Sequence, residues 1–139
     1  MQITSSIMLV AAAVLQLASP VAAGYENGKA QQINFYNNDG CSAYRSETAT
    51  WWTRSPRSGR NWSSQGDCFA LNMPGASKSV NVANAWDDRG YGSAATCFFY
   101  DGYDCKGVQA SSTFQAGNGN CLNSRSSAGY LWKSARCIQ

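Results

Sequence analysis

The residues best equipped for chemistry lie in one stretch, Thr50 to Ser64, which reads TWWTRSPRSGRNWSS. It holds Trp51, Trp52 and Trp62, arginines at every third position (Arg54, Arg57 and Arg60), and no acidic residue. Trp and Arg are the types enriched where proteins bind partners. A guanidinium fork matches carboxylates, sulfates and phosphates, and an indole face suits a sugar ring or a membrane interface. The same residues permit a plainer reading, in which Trp51 and Trp52 begin a strand with one of them buried and the arginines solvate a long loop. Asn61-Trp62-Ser63 is also an N-glycosylation sequon, and a glycan on Asn61 would require an exposed loop there.

Catalysis has less to work with. The chain contains no histidine, which excludes Ser-His-Asp and Cys-His sites and histidine-dependent ribonuclease chemistry. Asp87 and Asp88 are adjacent and rarely converge in that arrangement; WDDRGYG reads as a linker turn. Asp101 and Asp104 flank a hairpin around Gly102, where Asp is expected for turn chemistry, with a weak metal contact as the alternative. Glu26 and Glu47 have no partner carboxylate in the sequence, so a glycosidase dyad has no support. Phe98, Phe99, Tyr100 and Tyr103 could form a sugar platform, but strand alternation predicts Phe99 in the core and Phe98 outward. Trp86 and Trp132 are expected in the core or between halves. We therefore expect no enzyme, no cofactor and no metal site. The net charge of +3 is too mild to argue for nucleic acid.

The elements that must position these residues are strands. The apolar run IMLVAAAVLQLA, followed by SPVAA, reads as a secretory signal cleaved after Ala23, which leaves a mature domain of residues 24–139. The run is too short to span a membrane, and no later segment is apolar enough. All six cysteines (Cys41, Cys68, Cys97, Cys105, Cys121 and Cys137) lie in the mature part. An even count in a small secreted chain predicts disulfides. Zinc is the competing reading, and the absence of histidine and of any CxxC pair weighs against it. Short Val-, Ile-, Phe-, Tyr- and Trp-rich runs separated by Gly, Asn, Asp and Ser predict an all-β domain.

The chain also repeats itself. INFYNNDGC (Ile33–Cys41) parallels CFFYDGYDC (Cys97–Cys105), each with two aromatics, a polar turn and a cysteine. Downstream, DCFALNMPGASKSVNV (Asp67–Val82) parallels NCLNSRSSAGYLWKSARC (Asn120–Cys137). Each half is expected to be a four-strand unit, about 31–84 and 95–139.

Tyr100-x4-Cys105-x-Gly107 resembles the first-hairpin signature of βγ-crystallin Greek keys, with cysteine in place of the second aromatic. Ser79–Val82 and Ser134–Cys137 resemble that family's closing strand, and the whole is similar to small cysteine-rich secreted proteins of fungi. The resemblance implies two Greek keys packed as one domain. Two departures stand out. Ala43 occupies the glycine position of the first half and cannot take positive φ cheaply, so an irregular hairpin is expected there. PGASKS and GYLWKS stand where calcium-binding members have their acidic motif, so no calcium site is expected. A Greek key sets its fourth strand beside its first, which implies Cys97–Cys137, with Ile33 and Val82 as the equivalent apolar pair. Cys41–Cys68 and Cys105–Cys121 would then remain, one bridge in each half.

The segment from Cys41 to Cys68 is eleven residues longer than its counterpart from Cys105 to Cys121, and the Trp/Arg stretch sits within that excess. Arg45, Arg54, Arg57 and Arg60 against Glu47 also account for the whole net charge of +3. Loops on rigid scaffolds are where binding usually lives. The expected protein is thus a secreted, monomeric, effector- or toxin-like interaction protein. Its expected contact residues are Trp51, Trp52, Arg54, Arg57, Arg60 and Trp62, and its partner a host surface protein, a cell-wall glycan or an anionic lipid. The alternatives are a membrane-active killer-type toxin and a cell-wall carbohydrate-binding protein.

Overall fold

Apolar side chains alternate at Ile33 and Phe35, at Val80 and Val82, and at Ala95, Cys97 and Phe99, and this period of two turns one face of each of these strands into the core between two sheets. The computed structural model describes residues 24–58 and 63–139. The expected signal segment, Arg60, Asn61 and Trp62 lie outside the described residues. In chain order the strands are β1 (Lys29–Tyr36), β2 (Tyr44–Trp51), β3 (Ser63–Ser64), β4 (Phe69–Ala70) and β5 (Ser79–Ala85). They continue as β6 (Ala95–Tyr100), β7 (Gln109–Gln115), β8 (Asn118–Gly119), β9 (Leu122–Asn123) and β10 (Ser134–Ile138), with one 3-10 turn at Tyr103–Cys105. One sheet has the order β3-β2-β1-β5-β9 and the other β4-β10-β6-β7-β8. All pairings are antiparallel except the short contact of β2 with β3.

Ile33 and Phe35 of β1 face Val82 and Val80 of β5 across the first sheet. Cys97 and Phe99 of β6 face Cys137 and Ala135 of β10 across the second. These eight residues, with Leu71, Ala85, Ala95, Phe114 and Trp132, form one core drawn from both halves. Phe99 is fully buried and Phe98 is turned outward beneath the Arg136 guanidinium, as alternation requires. Trp86 and Trp132 are both buried.

The two halves use matching backbone contacts. Lys78 N donates to Tyr36 O, and Lys133 N donates to Tyr100 O, both at 2.8 Å. Cys41 N donates to Ser79 Oγ at 3.1 Å, and Cys105 N donates to Ser134 Oγ at 2.9 Å. Each serine hydroxyl in turn donates to its own hairpin, Ser79 to Asn38 O and Ser134 to Gly102 O. The hairpins themselves differ, as Ala43 foretold. Gly107 takes φ 95°, and an added Cβ there would meet Asp101 Oδ1 at 2.3 Å. Ala43 is not in the left-handed region; Asn38 Oδ1 accepts from the backbone N–H of Ser42 and Ala43 instead, and the β1–β2 register shifts at Phe35/Tyr36.

The disulfides require a correction. Cys97–Cys137 forms as expected, across directly paired strands with Cα atoms 4.0 Å apart. The other bridges are Cys41–Cys121 and Cys68–Cys105, in place of Cys41–Cys68 and Cys105–Cys121. The reason is strand exchange: β4 of the first half pairs with β10 of the second, and β9 of the second pairs with β5 of the first. Cys68 therefore enters the second sheet beside Cys105, and Cys121 enters the first beside Cys41. Each of these bridges ties one half to the other. The three disulfides close segments of 80, 37 and 40 residues, and each stabilises by about 4 kcal/mol through restriction of the unfolded chain. Three disulfides in a small domain are typical of extracellular proteins. No helix among the described residues is long and apolar enough to cross a membrane.

Candidate functional site

The Trp/Arg stretch leaves the first sheet at the end of β2. Trp51, the last residue of that strand, is 2% exposed and fills space beneath the loop. Trp52 is half-buried; its backbone N–H donates to Gly28 O at 2.8 Å and its Nε1 donates to Trp86 O at 3.1 Å. The chain then turns twice, with Ser55 N donating to Trp52 O and Ser58 N donating to Ser55 O. Ser55 is buried against Gly28, where φ is +84° and an added Cβ would lie 2.5 Å from the serine side chain. That glycine lets the N-terminal segment and the loop lock together.

The arginines are placed differently from one another. Arg54 is exposed. Arg57 lies over the Trp51 ring, 4.9 Å from its centroid, and forms an ion pair with Glu26. Trp51 is thus a buried anchor and not an exposed contact, a correction to its expected role. Trp52 is half-buried, with its indole N–H already bonded to Trp86 O. Arg54 and Arg57 are the described members of the expected set that are exposed. Arg60, Trp62 and the sequon residue Asn61 lie outside the described residues.

The structure adds residues that the sequence did not single out as a group. A cleft of about 250 Å³ opens between the N-terminal segment and β2, lined by Glu26, Lys29, Glu47, Thr48, Trp51 and Arg57 among others. Lys29 is almost fully buried, and its ammonium donates to Gly24 O at 3.1 Å and Gln32 Oε1 at 2.9 Å. It also lies 3.5 Å from Glu47 Oε1 and 5.5 Å from the Trp86 ring centroid. Glu26 and Glu47, which the sequence left without partners, therefore line one cleft, each beside a cation. Glu47 Oε2 is buried and has no hydrogen-bond partner among the described residues. No spacing motif reveals this cleft, because its residues come from segments that only the sheet register aligns.

Burial raises the Tyr44 hydroxyl pKa, and the nearby Glu47 charge adds to the effect. Burial likewise raises Tyr36, against the hydrogen bonds it shares with Asn34 and Asn81. Asp87 is held below the usual carboxylate range chiefly by the Tyr91 N–H, with the Arg89 N–H and guanidinium assisting. It thus serves the turn between β5 and β6, as WDDRGYG predicts. Asp101 is similarly engaged, accepting from Val108 N at 2.8 Å and Ser126 Oγ at 2.7 Å. Among the described residues, no group of three or more Cys, Asp or Glu is placed to hold a metal ion. Compared with known proteins, the chain matches no family model, no curated protein and no solved structure.

Proposed function

We propose that this is a small secreted recognition protein without catalytic activity, built as two βγ-crystallin-like Greek keys. It binds an extracellular partner through the segment from Trp51 to Trp62. The observation that carries this reading is the mounting of that segment: a buried indole and a bonded one hold its base, while Arg54 and Arg57 face outward. A rigid base lowers the entropy lost when a loop binds, and guanidinium groups suit an anionic partner. The return of β5 beside β1 and of β10 beside β6 supports the Greek-key architecture. The pairing of Glu26 and Glu47 with cations, and the use of Asp87 and Asp101 in turns, support a non-catalytic role.

The test is salt-dependent binding of labelled, oxidised protein to intact plant cells and to fungal cells, with Arg54, Arg57 and Arg60→Ala together as the control variant. The triple variant should lose binding. It should also melt about 4 °C lower, since the Arg57 stack and exposed ion pair together contribute about 1 kcal/mol. Retained binding would remove the loop from the reading. Leakage from anionic vesicles, suppressed by salt, would favour a membrane-active toxin instead.

A further inference from the structure

We propose a second binding site, at the end of the second sheet around Lys133, that takes an anionic saccharide. Tyr103 and Tyr130 are 68% and 60% exposed. The Lys133 ammonium stands 5.5 Å from the centroid of each ring. Beside them opens a groove of about 300 Å³, lined by Tyr103 and Lys133 with Asn72, Met73, Leu131 and Trp132; Tyr130 stands next to it through its contact with Lys133. Its base is stiff. Lys133 N donates to Tyr100 O at 2.8 Å, Leu71 N donates to Lys133 O at 2.9 Å, and Trp132 Nε1 donates to Asn123 O at 2.7 Å.

The duplication provides an internal control for whether the fold needs these residues. The matching backbone bonds of Leu71 to Lys133 and of Ser124 to Lys78 align the two copies. In that alignment Lys133 corresponds to Lys78, Trp132 to Ser77, Leu131 to Ala76 and Tyr103 to Asp39. The second copy is also two residues longer between Ser124 and Lys133 than between Leu71 and Lys78, and the longer turn carries Tyr130. The same fold therefore closes without the two tyrosines or the leucine, whereas Trp132 belongs to the core. The presence of Tyr103, Tyr130 and Leu131 in one copy alone is a property of this surface and not a requirement of the strands.

The chemistry selects the ligand. Exposed aromatic faces accept the C–H face of a pyranose, and a cation beside them adds a preference for an acidic ring. Lys133 forms no salt bridge among the described residues, and Asp101 beneath this hairpin is already occupied by Val108 N and Ser126 Oγ. A lipid surface fits less well. The exposed large hydrophobics among the described residues are four tyrosines, Val108 and Ile138, with no Leu, Phe or Trp to enter a bilayer.

Calorimetry and tryptophan fluorescence on the oxidised protein would test the site with four probes: tetragalacturonate, its methyl ester, a heparin tetrasaccharide and phosphatidylserine–phosphatidylcholine vesicles. At least one anionic tetrasaccharide should bind saturably and weaken as salt rises. The uronate and sulfate arms identify which anion is preferred. Lys133→Gln and Tyr130→Ala should each weaken binding about tenfold, while Arg54→Ala should leave it unchanged, separating this site from the β2 loop. The proposal is overturned if neither anionic tetrasaccharide binds, if the methyl ester of a bound uronate binds equally well, if Lys133→Gln and Tyr130→Ala bind as the parent does, or if only the vesicles bind.

Discussion

Removing one inter-half bridge tests the strand exchange directly. Cys68 is exposed and Cys41 half-buried, so replacing either bridge by alanines leaves little cavity, and the loss is dominated by freedom returned to the unfolded chain. The bridges close 37 and 80 residues. In the chain-entropy treatment Cys68→Ala/Cys105→Ala should therefore cost about 3.8 kcal/mol and Cys41→Ala/Cys121→Ala about 4.5 kcal/mol. For a domain of this size each corresponds to a fall of about 15 °C in Tm. Differential scanning calorimetry gives the cost, and peptide mapping of the non-reduced protein gives the connectivity. Peptides joining Cys41 to Cys68 would refute the strand exchange outright. Correct connectivity with a fall of only a few degrees would refute the energetic reasoning, because the two halves would then not depend on being tied together.

Cys97 and Cys137 occupy the junction that Ile33 and Val82 occupy in the first half. Cys97→Val/Cys137→Val should therefore fold, with a Tm above that of the corresponding double alanine variant, since the methyl groups restore part of the buried volume; thermal melts of the two variants decide this. Stability should also fall in alkali. Burial raises Tyr36 and Tyr44 above the ordinary tyrosine value of 10.0, so their neutral forms are favoured in the folded state. Their contribution is intact below pH 10 and declines as pH rises toward the folded values. Ultraviolet titration of the phenolates, read beside Tm between pH 9 and pH 12, should place some tyrosine ionisation at the unfolding transition; ionisation complete before any loss of Tm would contradict it.

The sequence by itself determined the local facts. Alternation at Thr96–Tyr100 set which faces of β6 point inward, because a strand's period of two is a property of its own backbone. The internal repeat aligned Ile33/Val82 with Cys97/Cys137, and the return of each closing strand beside its opening strand made both pairs adjacent. Polar turn residues likewise announced the role of Asp87, whose partners lie within four positions.

Tertiary structure alone decided what depends on distant segments meeting. Nothing in Phe69–Ala70 or Leu122–Asn123 indicates which sheet each joins, since two-residue strands carry no periodicity that identifies a partner. That choice settled two of the three disulfides. The Trp/Arg stretch shows the same division. Its composition set its charge, but whether a tryptophan is a contact or an anchor depends on what packs over it. Trp51 is an anchor because Arg57 covers its ring and pairs with Glu26 from the N-terminal segment. The cleft of Lys29 and Glu47 and the groove of Asn72, Tyr103 and Lys133 arose in the same way, from residues brought together by sheet register and hairpin placement, at spacings that no local pattern encodes.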